Sequence, residues 1–273
     1  MNPAIDRPLT DSQIHEFETE RFTLLDNALD KNMLGNLDRE LNEWVTESRN
    51  HKNSYGEQID GRPRVSVEPD HCYESPALRR IASPVELSLS YLDVMRHGLA
   101  VDAVAQLIGP NIKFNNAKIN LKHPGMATKI DFHQDFMFEP HSNDDLITVL
   151  YFLDELTPDN GPLEIVPCSH RGPLYDHWHD GVFTGSVSPA VAASAQDNAI
   201  SCFGSAGSAC LMSTRLLHGS APNRSSEPRT LYIVEYCAED AYPLQANHIP
   251  SKFVGEIVRG EPTNRIRCSD YDM

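Results

Sequence analysis

The feature that most constrains this chain is a change of hydrophobic period near residue 110. Upstream, apolar residues recur at helical spacing. Downstream, short apolar runs alternate with turn signals. Thr10 and Gln13 form a capping-box pattern that predicts a helix to about residue 20. Leu34, Leu37, Leu41 and Trp44/Val45 fall on one helical face and predict a second helix over 30–47. A third helical region is expected over 85–108, broken at Gly98 and ended by Gly109-Pro110. Strand-type runs cover 22–25, 112–121, 130–138, 146–153, 163–166, 199–203, 209–212 and 231–236, with turns such as Asp159-Asn160-Gly161-Pro162 between them. Helices followed by many short strands predict a mainly β fold, a barrel or double-sheet sandwich with flanking α-helices.

Length fits this as one domain of 273 residues. It divides into a mostly helical part (1–110), a β core (111–240) and a C-terminal extension (241–273). Two stretches resist assignment. Residues 50–84, rich in glycine and proline, read as a long irregular cover. Residues 172–198, with His177, Trp178 and His179, read as a loop or polar lid between strands.

A net charge of −16 argues against nucleic-acid binding and against anionic membranes. No apolar run approaches the ~20 residues that span a bilayer. The opening Met1 to Asp6 lacks a basic region followed by an apolar stretch, so no signal peptide is expected. None of the six cysteines forms a Cys-x-x-Cys pair, which disfavours zinc ribbons and redox motifs and fits a reducing cytoplasm. Nothing in the sequence sets the oligomeric state.

Within the β part, His133 and Asp135 lie two apart in a strand-type segment, so both side chains are expected on one face. His218 follows an apolar strand and precedes a Gly-Ser-Ala-Pro turn, a plausible third ligand. Two imidazoles and one carboxylate are the facial set that holds non-haem Fe(II) with open positions for a co-substrate and oxygen. Arg229, on the next strand, could return beside the metal and take a distal carboxylate in a bidentate fork, as 2-oxoglutarate requires.

Four blocks resemble the phytanoyl-CoA dioxygenase family of Fe(II)/2-oxoglutarate oxygenases, which includes the ectoine hydroxylases. They are Lys118-Ile119-Asn120-Leu121-Lys122, His133-Gln134-Asp135-Phe136, residues 157–170, and the stretch from Gly207-Ser208 through His218 to Arg229. The resemblance implies a double-stranded β-helix (a cupin-like jelly roll). It implies iron ligation by His133, Asp135 and His218, and a 2-oxoglutarate anchor at Arg229, with Lys122 and Ser220 beside it. It also implies O2 as oxidant and release of succinate and CO2. Related halogenases carry a small residue in place of the carboxylate; Asp135 therefore favours hydroxylation. Cys168 stands where the family usually has glycine. The family's Glu-Thr-Trp-His after the metal motif is replaced by Met137-Phe138-Glu139-Pro140, which argues against ectoine as substrate.

Asn116, Asn120 and Gln134 are candidate substrate contacts. A small polar metabolite or natural-product intermediate is the expected substrate. The acidic chain argues against coenzyme A thioesters, although Arg62, Arg64, Lys118 and Lys129 are local basic residues that could offset this. Two other readings stand beside the oxygenase: a non-catalytic jelly-roll binding protein, and a cupin-type metalloenzyme that does not use 2-oxoglutarate.

Overall fold

A computed structural model describes residues 7–59, 61–125 and 128–270. The opening Met1 to Asp6, read above for a signal peptide, lies outside these. The described elements run α1 (Asp11–Glu20), β1 (Phe22–Leu25), α2 (Lys31–Ser48), β2 (Tyr55–Ile59), β3 (Arg62–Val67), β4 (Leu78–Ala82), α3 (Leu89–His97), α4 (Leu99–Ile108), β5 (Ile112–Lys122), β6 (Ile130–His133), β7 (Leu146–Phe152), β8 (Leu163–Ile165), β9 (Trp178–His179), β10 (Val182–Phe183), α5 (Pro189–Asn198), β11 (Ile200–Cys202), β12 (Ala209–Ser213), β13 (His218–Ser220), β14 (Arg229–Ala238) and β15 (Ile257–Arg259).

Two antiparallel sheets face each other as a jelly roll. The larger runs β1-β12-β7-β14-β5-β4-β3-β2, with β15 added to β5; the smaller runs β11-β8-β13-β6. Strand β14 explains why the larger sheet sits in the middle of the molecule. Every one of its residues is buried, so both of its faces are covered. Tyr232 and Tyr236 point outward to the helices, where their hydroxyls donate to the carbonyls of Tyr91 and Met95 on α3 at 2.9 and 2.8 Å. Leu231 and Ile233 point inward and pack with Leu150, Leu163 and Ile165 between the sheets.

The helix boundaries follow the capping chemistry. Thr10 and Gln13 form the reciprocal capping box of α1. Gly98 has extended dihedrals (φ −61°, ψ 148°) and divides α3 from α4. A Cβ there would lie 2.7 Å from the Val94 carbonyl, so the break is also a close contact.

Three expectations need correction. Residues 50–84 are not an irregular cover; β2, β3 and β4 extend the larger sheet from β5. Residues 172–198 hold the β9–β10 hairpin and α5, and His177 is fully buried beneath the exposed Trp178. The strand over 130–138 ends at His133, and Asp135–Met137 form a single 3-10 turn. No described helix is long and apolar enough to cross a membrane.

Candidate metal centre

His133 closes β6 and His218 opens β13, and the two are register partners across the antiparallel pair. Directly opposed residues share a face of the sheet, which sets the imidazole centroids 4.1 Å apart. Asp135 reaches the same point from the 3-10 turn. That turn is fixed by Phe136, whose N–H donates to the Thr214 carbonyl at 2.9 Å. The Asp135 Oδ1 atom lies 3.3 Å from His133 Nε2 and 3.7 Å from His218 Nε2. One ligand atom from each residue lies within 4.8 Å of the others.

The surrounding hydrogen bonds aim these atoms. His133 Nδ1 lies 2.8 Å from the Asp131 carbonyl, and His218 Nδ1 lies 2.9 Å from the Leu216 carbonyl. A carbonyl only accepts, so each Nδ1 carries the proton and each Nε2 lone pair faces the centre. Asp135 Oδ2 accepts from the Thr148 hydroxyl at 2.9 Å, leaving Oδ1 for the centre.

Charge states agree with this geometry. Burial pushes the Asp135 carboxyl up, but the facing His218, His133 and Lys118 outweigh it and hold it well below the usual range. Burial and the neighbouring His133 push His218 down to about 4, against the pull of Asp135. An ionised Asp135 beside a neutral His218 is the protonation state that binds a divalent cation.

A second cluster lies on the adjoining strands. Arg229 on β14 is paired in register with Lys122 on β5, and the two are only 2% and 3% exposed. Lys122 Nζ donates to Ser220 Oγ at 2.7 Å and to the Ser220 and Ala221 carbonyls. Arg229 Nε donates to the Gly161 carbonyl at 3.1 Å, and its Nη2 lies 3.5 Å from Ser220 Oγ. Neither cation has an ion pair among the described residues. Burial, then the adjacent Arg229, pushes Lys122 down to about 7. Burial pushes Arg229 down to about 10, against the pull of Asp154. Two buried cations that share one serine form a preformed anion site.

Both clusters open into one cavity of about 360 Å³ between the sheets. Its walls include the apolar Leu150, Leu163, Leu231 and Ile233, together with Phe138 and His248. Of the expected substrate contacts, Asn120 lines the cavity. Asn116 does not; it lies further along β5, where its amide is taken by Glu139 at 3.1 Å. Gln134 does not either. It alternates away from its two neighbours and braces the loop instead, donating to the Arg215 carbonyl at 2.8 Å and accepting from Tyr175 N at 2.9 Å. His177 is part of that brace, its Nε2 accepting from Gln134 N at 3.0 Å.

Sequence reasoning missed Thr148 and His248. A single threonine mid-strand has no signal, and His248 lies in the C-terminal extension. Of the four basic residues weighed above, Arg64 is consumed by Glu57 and Glu86 and Lys129 by Asp131. Arg62 and Lys118 line the cavity.

The chain matches the phytanoyl-CoA dioxygenase family over residues 22–231. It is 38% identical over 174 residues to a probable alpha-ketoglutarate-dependent hypophosphite dioxygenase of Stutzerimonas stutzeri, a match that covers 61% of this chain and 59% of the relative, under two thirds of its length. It is 25% identical to an L-proline trans-4-hydroxylase of Streptomyces griseoviridis, over 64% of this chain and 71% of that one. The fold superposes on EctD from S. alaskensis with bound Fe at a TM-score of 0.71 and 19% identity, covering 97% of this chain and 88% of that one. With the family matched from β1 into β14 and its sheets closing around a His–Asp–His centre, the chain belongs to the phytanoyl-CoA dioxygenase family of Fe(II)/2-oxoglutarate-dependent oxygenases.

Proposed function

We propose that this protein is an Fe(II)- and 2-oxoglutarate-dependent dioxygenase that hydroxylates an unactivated C–H bond of a small polar metabolite, releasing succinate and CO2. The observation that carries the reading is the pairing of two preformed sites in one cavity. His133, Asp135 and His218 offer Nε2, Oδ1 and Nε2 to a single point, and the Lys122–Arg229 pair waits beside it for an anion. A non-catalytic binder has no need of the second site.

Iron bound with 2-oxoglutarate supplies the oxidant for C–H cleavage. The chain's own residues do the rest. Thr148 holds Asp135 so that Oδ1 stays on the metal side. The Asp131 and Leu216 carbonyls lock the imidazole tautomers. Arg229 and Lys122, with Ser220 between them, fix a distal carboxylate and so orient the co-substrate. Leu150, Leu163, Leu231 and Ile233 give the cavity an apolar wall that disfavours water.

The named relatives are a probable hypophosphite dioxygenase and an L-proline trans-4-hydroxylase, which suits a small polar substrate here. All six cysteines are free thiols, the state a reducing cytoplasm maintains. The test is succinate release from 2-oxoglutarate with Fe(II) and O2, screened against small polar metabolites with mass analysis of products. Stimulated succinate with a product heavier by one oxygen supports the reading. No succinate from iron-loaded protein, coupled or uncoupled, overturns it.

A further inference from the structure

The ring of His248 does none of the work that holds its own segment. That segment, Asn247-His248-Ile249, belongs to the C-terminal extension and lies beyond residues 22–231, which match the family. Asn247 Nδ2 donates to the Asn115 backbone carbonyl at 3.0 Å, and Asn247 Oδ1 accepts from Ile249 N at 2.8 Å. Ile249 is fully buried and packs with Ile59 and Ala82. The His248 N–H donates to Glu139 Oε1 at 2.8 Å. These contacts fix the backbone on both sides of the histidine. Its imidazole makes no hydrogen bond among the described residues.

That ring still has a defined place. It lines the cavity together with Phe138, His133 and Asp135. Phe138 contacts both histidines, edge-on to His133 with ring centroids 5.7 Å apart and tilted to His248 at 5.4 Å. Phe183 on β10 packs edge-on against Phe138 at 5.2 Å and steadies it. A single aromatic ring therefore links His248 to an iron ligand. The His248 Nδ1 atom is covered and lies 3.6 Å from Glu139 Oε1. Glu139 is itself buried and accepts at both oxygens, from His248 N and from the side-chain amides of Asn115 and Asn116 at 2.7 and 3.1 Å. A carboxylate oxygen facing Nδ1 favours the tautomer with its proton there. The polar atom that the ring offers to the cavity is then the lone pair of Nε2.

We infer that His248 is a specificity-determining substrate contact: its Nε2 accepts a hydrogen bond from an amine or hydroxyl of the substrate and so aims a C–H bond of that molecule at the His–Asp–His centre. The inference rests on the oxygenase reading and names a feature its substrate must carry. Glu139 acts from behind the ring, setting its tautomer. Lys118, Lys122 and Arg229 also line the cavity, but their side chains only donate. His248 supplies an acceptor that they cannot. A site built to receive an N–H or O–H rejects an analogue that lacks it, because its acceptor is left unpaired. The cavity of about 360 Å³ lies at the low end for ligand sites and must also hold the co-substrate, so the donor-bearing molecule is small.

The experiment is anaerobic calorimetry on protein loaded with Fe(II) and 2-oxoglutarate. The probes are matched pairs of a donor-bearing molecule and its methylated analogue: L-proline with N,N-dimethyl-L-proline, glycine with glycine betaine, and lactate with 2-methoxypropanoate. At least one donor-bearing probe should bind with a Kd below about 10 mM, and about tenfold tighter than its analogue. His248→Phe keeps the ring and should bring that ratio close to one. His248→Gln, whose amide oxygen can stand in for Nε2, should restore most of it. A second readout needs no ligand and no folded variant beyond the one used for assignment. Nitrogen NMR of histidine-labelled protein at about pH 8 should show the His248 proton on Nδ1. The inference is overturned by a proton on Nε2, by no probe binding below about 10 mM, by analogues as tight as their parents, or by an unchanged ratio in folded His248→Phe. Failure of iron or 2-oxoglutarate to load in the wild type counts against the oxygenase reading alone; the same titrations on metal-free protein then decide the His248 contact.

Discussion

His133 and His218 face each other across the β6–β13 pair, with ring centroids 4.1 Å apart and each Nδ1 tied to the carbonyl two residues before it. Both histidines therefore reach the centre through the same local device, a strand-end imidazole pinned by its own backbone. The third ligand is held differently, by a side chain from another sheet, and that difference makes it the most readily tested.

Thr148→Val keeps the shape of the side chain and deletes its hydrogen bond to Asp135 Oδ2. The carboxylate is then free to rotate. Iron affinity should fall about 10- to 100-fold, the usual cost of losing such a partner, read by anaerobic competition against a chelator. Unchanged affinity would mean that Asp135 is oriented by the turn alone.

Co-substrate affinity should depend on pH through Lys122. Its ammonium is held down to about 7 by burial and by Arg229, and an incoming carboxylate favours the charged form. Below pH 7 the lysine is already protonated, and binding takes up no proton. Above pH 7 binding must take one up, so affinity falls by up to about tenfold per pH unit. Calorimetry of 2-oxoglutarate in buffers of different ionisation enthalpy should give proton uptake near zero at about pH 6 and approaching one at about pH 8.5. Lys122→Met should weaken binding and abolish the uptake.

Gly161 supports Arg229 and constrains the turn that carries Ser220. Its φ is +72°, its carbonyl accepts from Arg229 Nε, and a Cβ there would lie 2.5 Å from the Ala221 carbonyl. Gly161→Ala must push that turn away. It should cost about 1–3 kcal/mol of stability and raise the KM for 2-oxoglutarate more than it lowers kcat, measured by denaturant melts and succinate kinetics.

Cys168 occupies a left-handed position, φ 62° and ψ 2°, and its thiol makes only a 3.4 Å contact to the Thr19 carbonyl. Cys168→Gly should relieve backbone strain and stabilise the fold by about 1 kcal/mol, seen as a rise of roughly 2 °C in Tm. A fall in Tm would show that the thiol contact outweighs the strain.

Much of this centre was legible before the fold was known, and particular residues show why. His133, His218 and Arg229 sit in local sequence patterns, and β14 is a long apolar run that forces a buried central strand. Asp135 converges on the centre as expected, but from a 3-10 turn and not from strand alternation. Strands β2 to β4 were hidden because Gly56, Gly61 and Pro63 interrupt the alternation that marks a strand; Pro63 is tolerated near the far edge of the sheet. Thr148 could not be found at all, because its role depends on a contact made across the barrel. Net charge is silent about the local charge of the cavity. An overall excess of acid does not keep Lys118, Lys122 and Arg229 out of its lining.

The most direct test of the central claim is anaerobic Fe(II) titration, with 2-oxoglutarate present, of the wild-type protein against Asp135→Ala and His218→Ala. The account predicts one tightly bound iron per wild-type chain and at least about a 100-fold loss of affinity in each variant. Stoichiometric iron of unchanged affinity in folded Asp135→Ala and His218→Ala would contradict it.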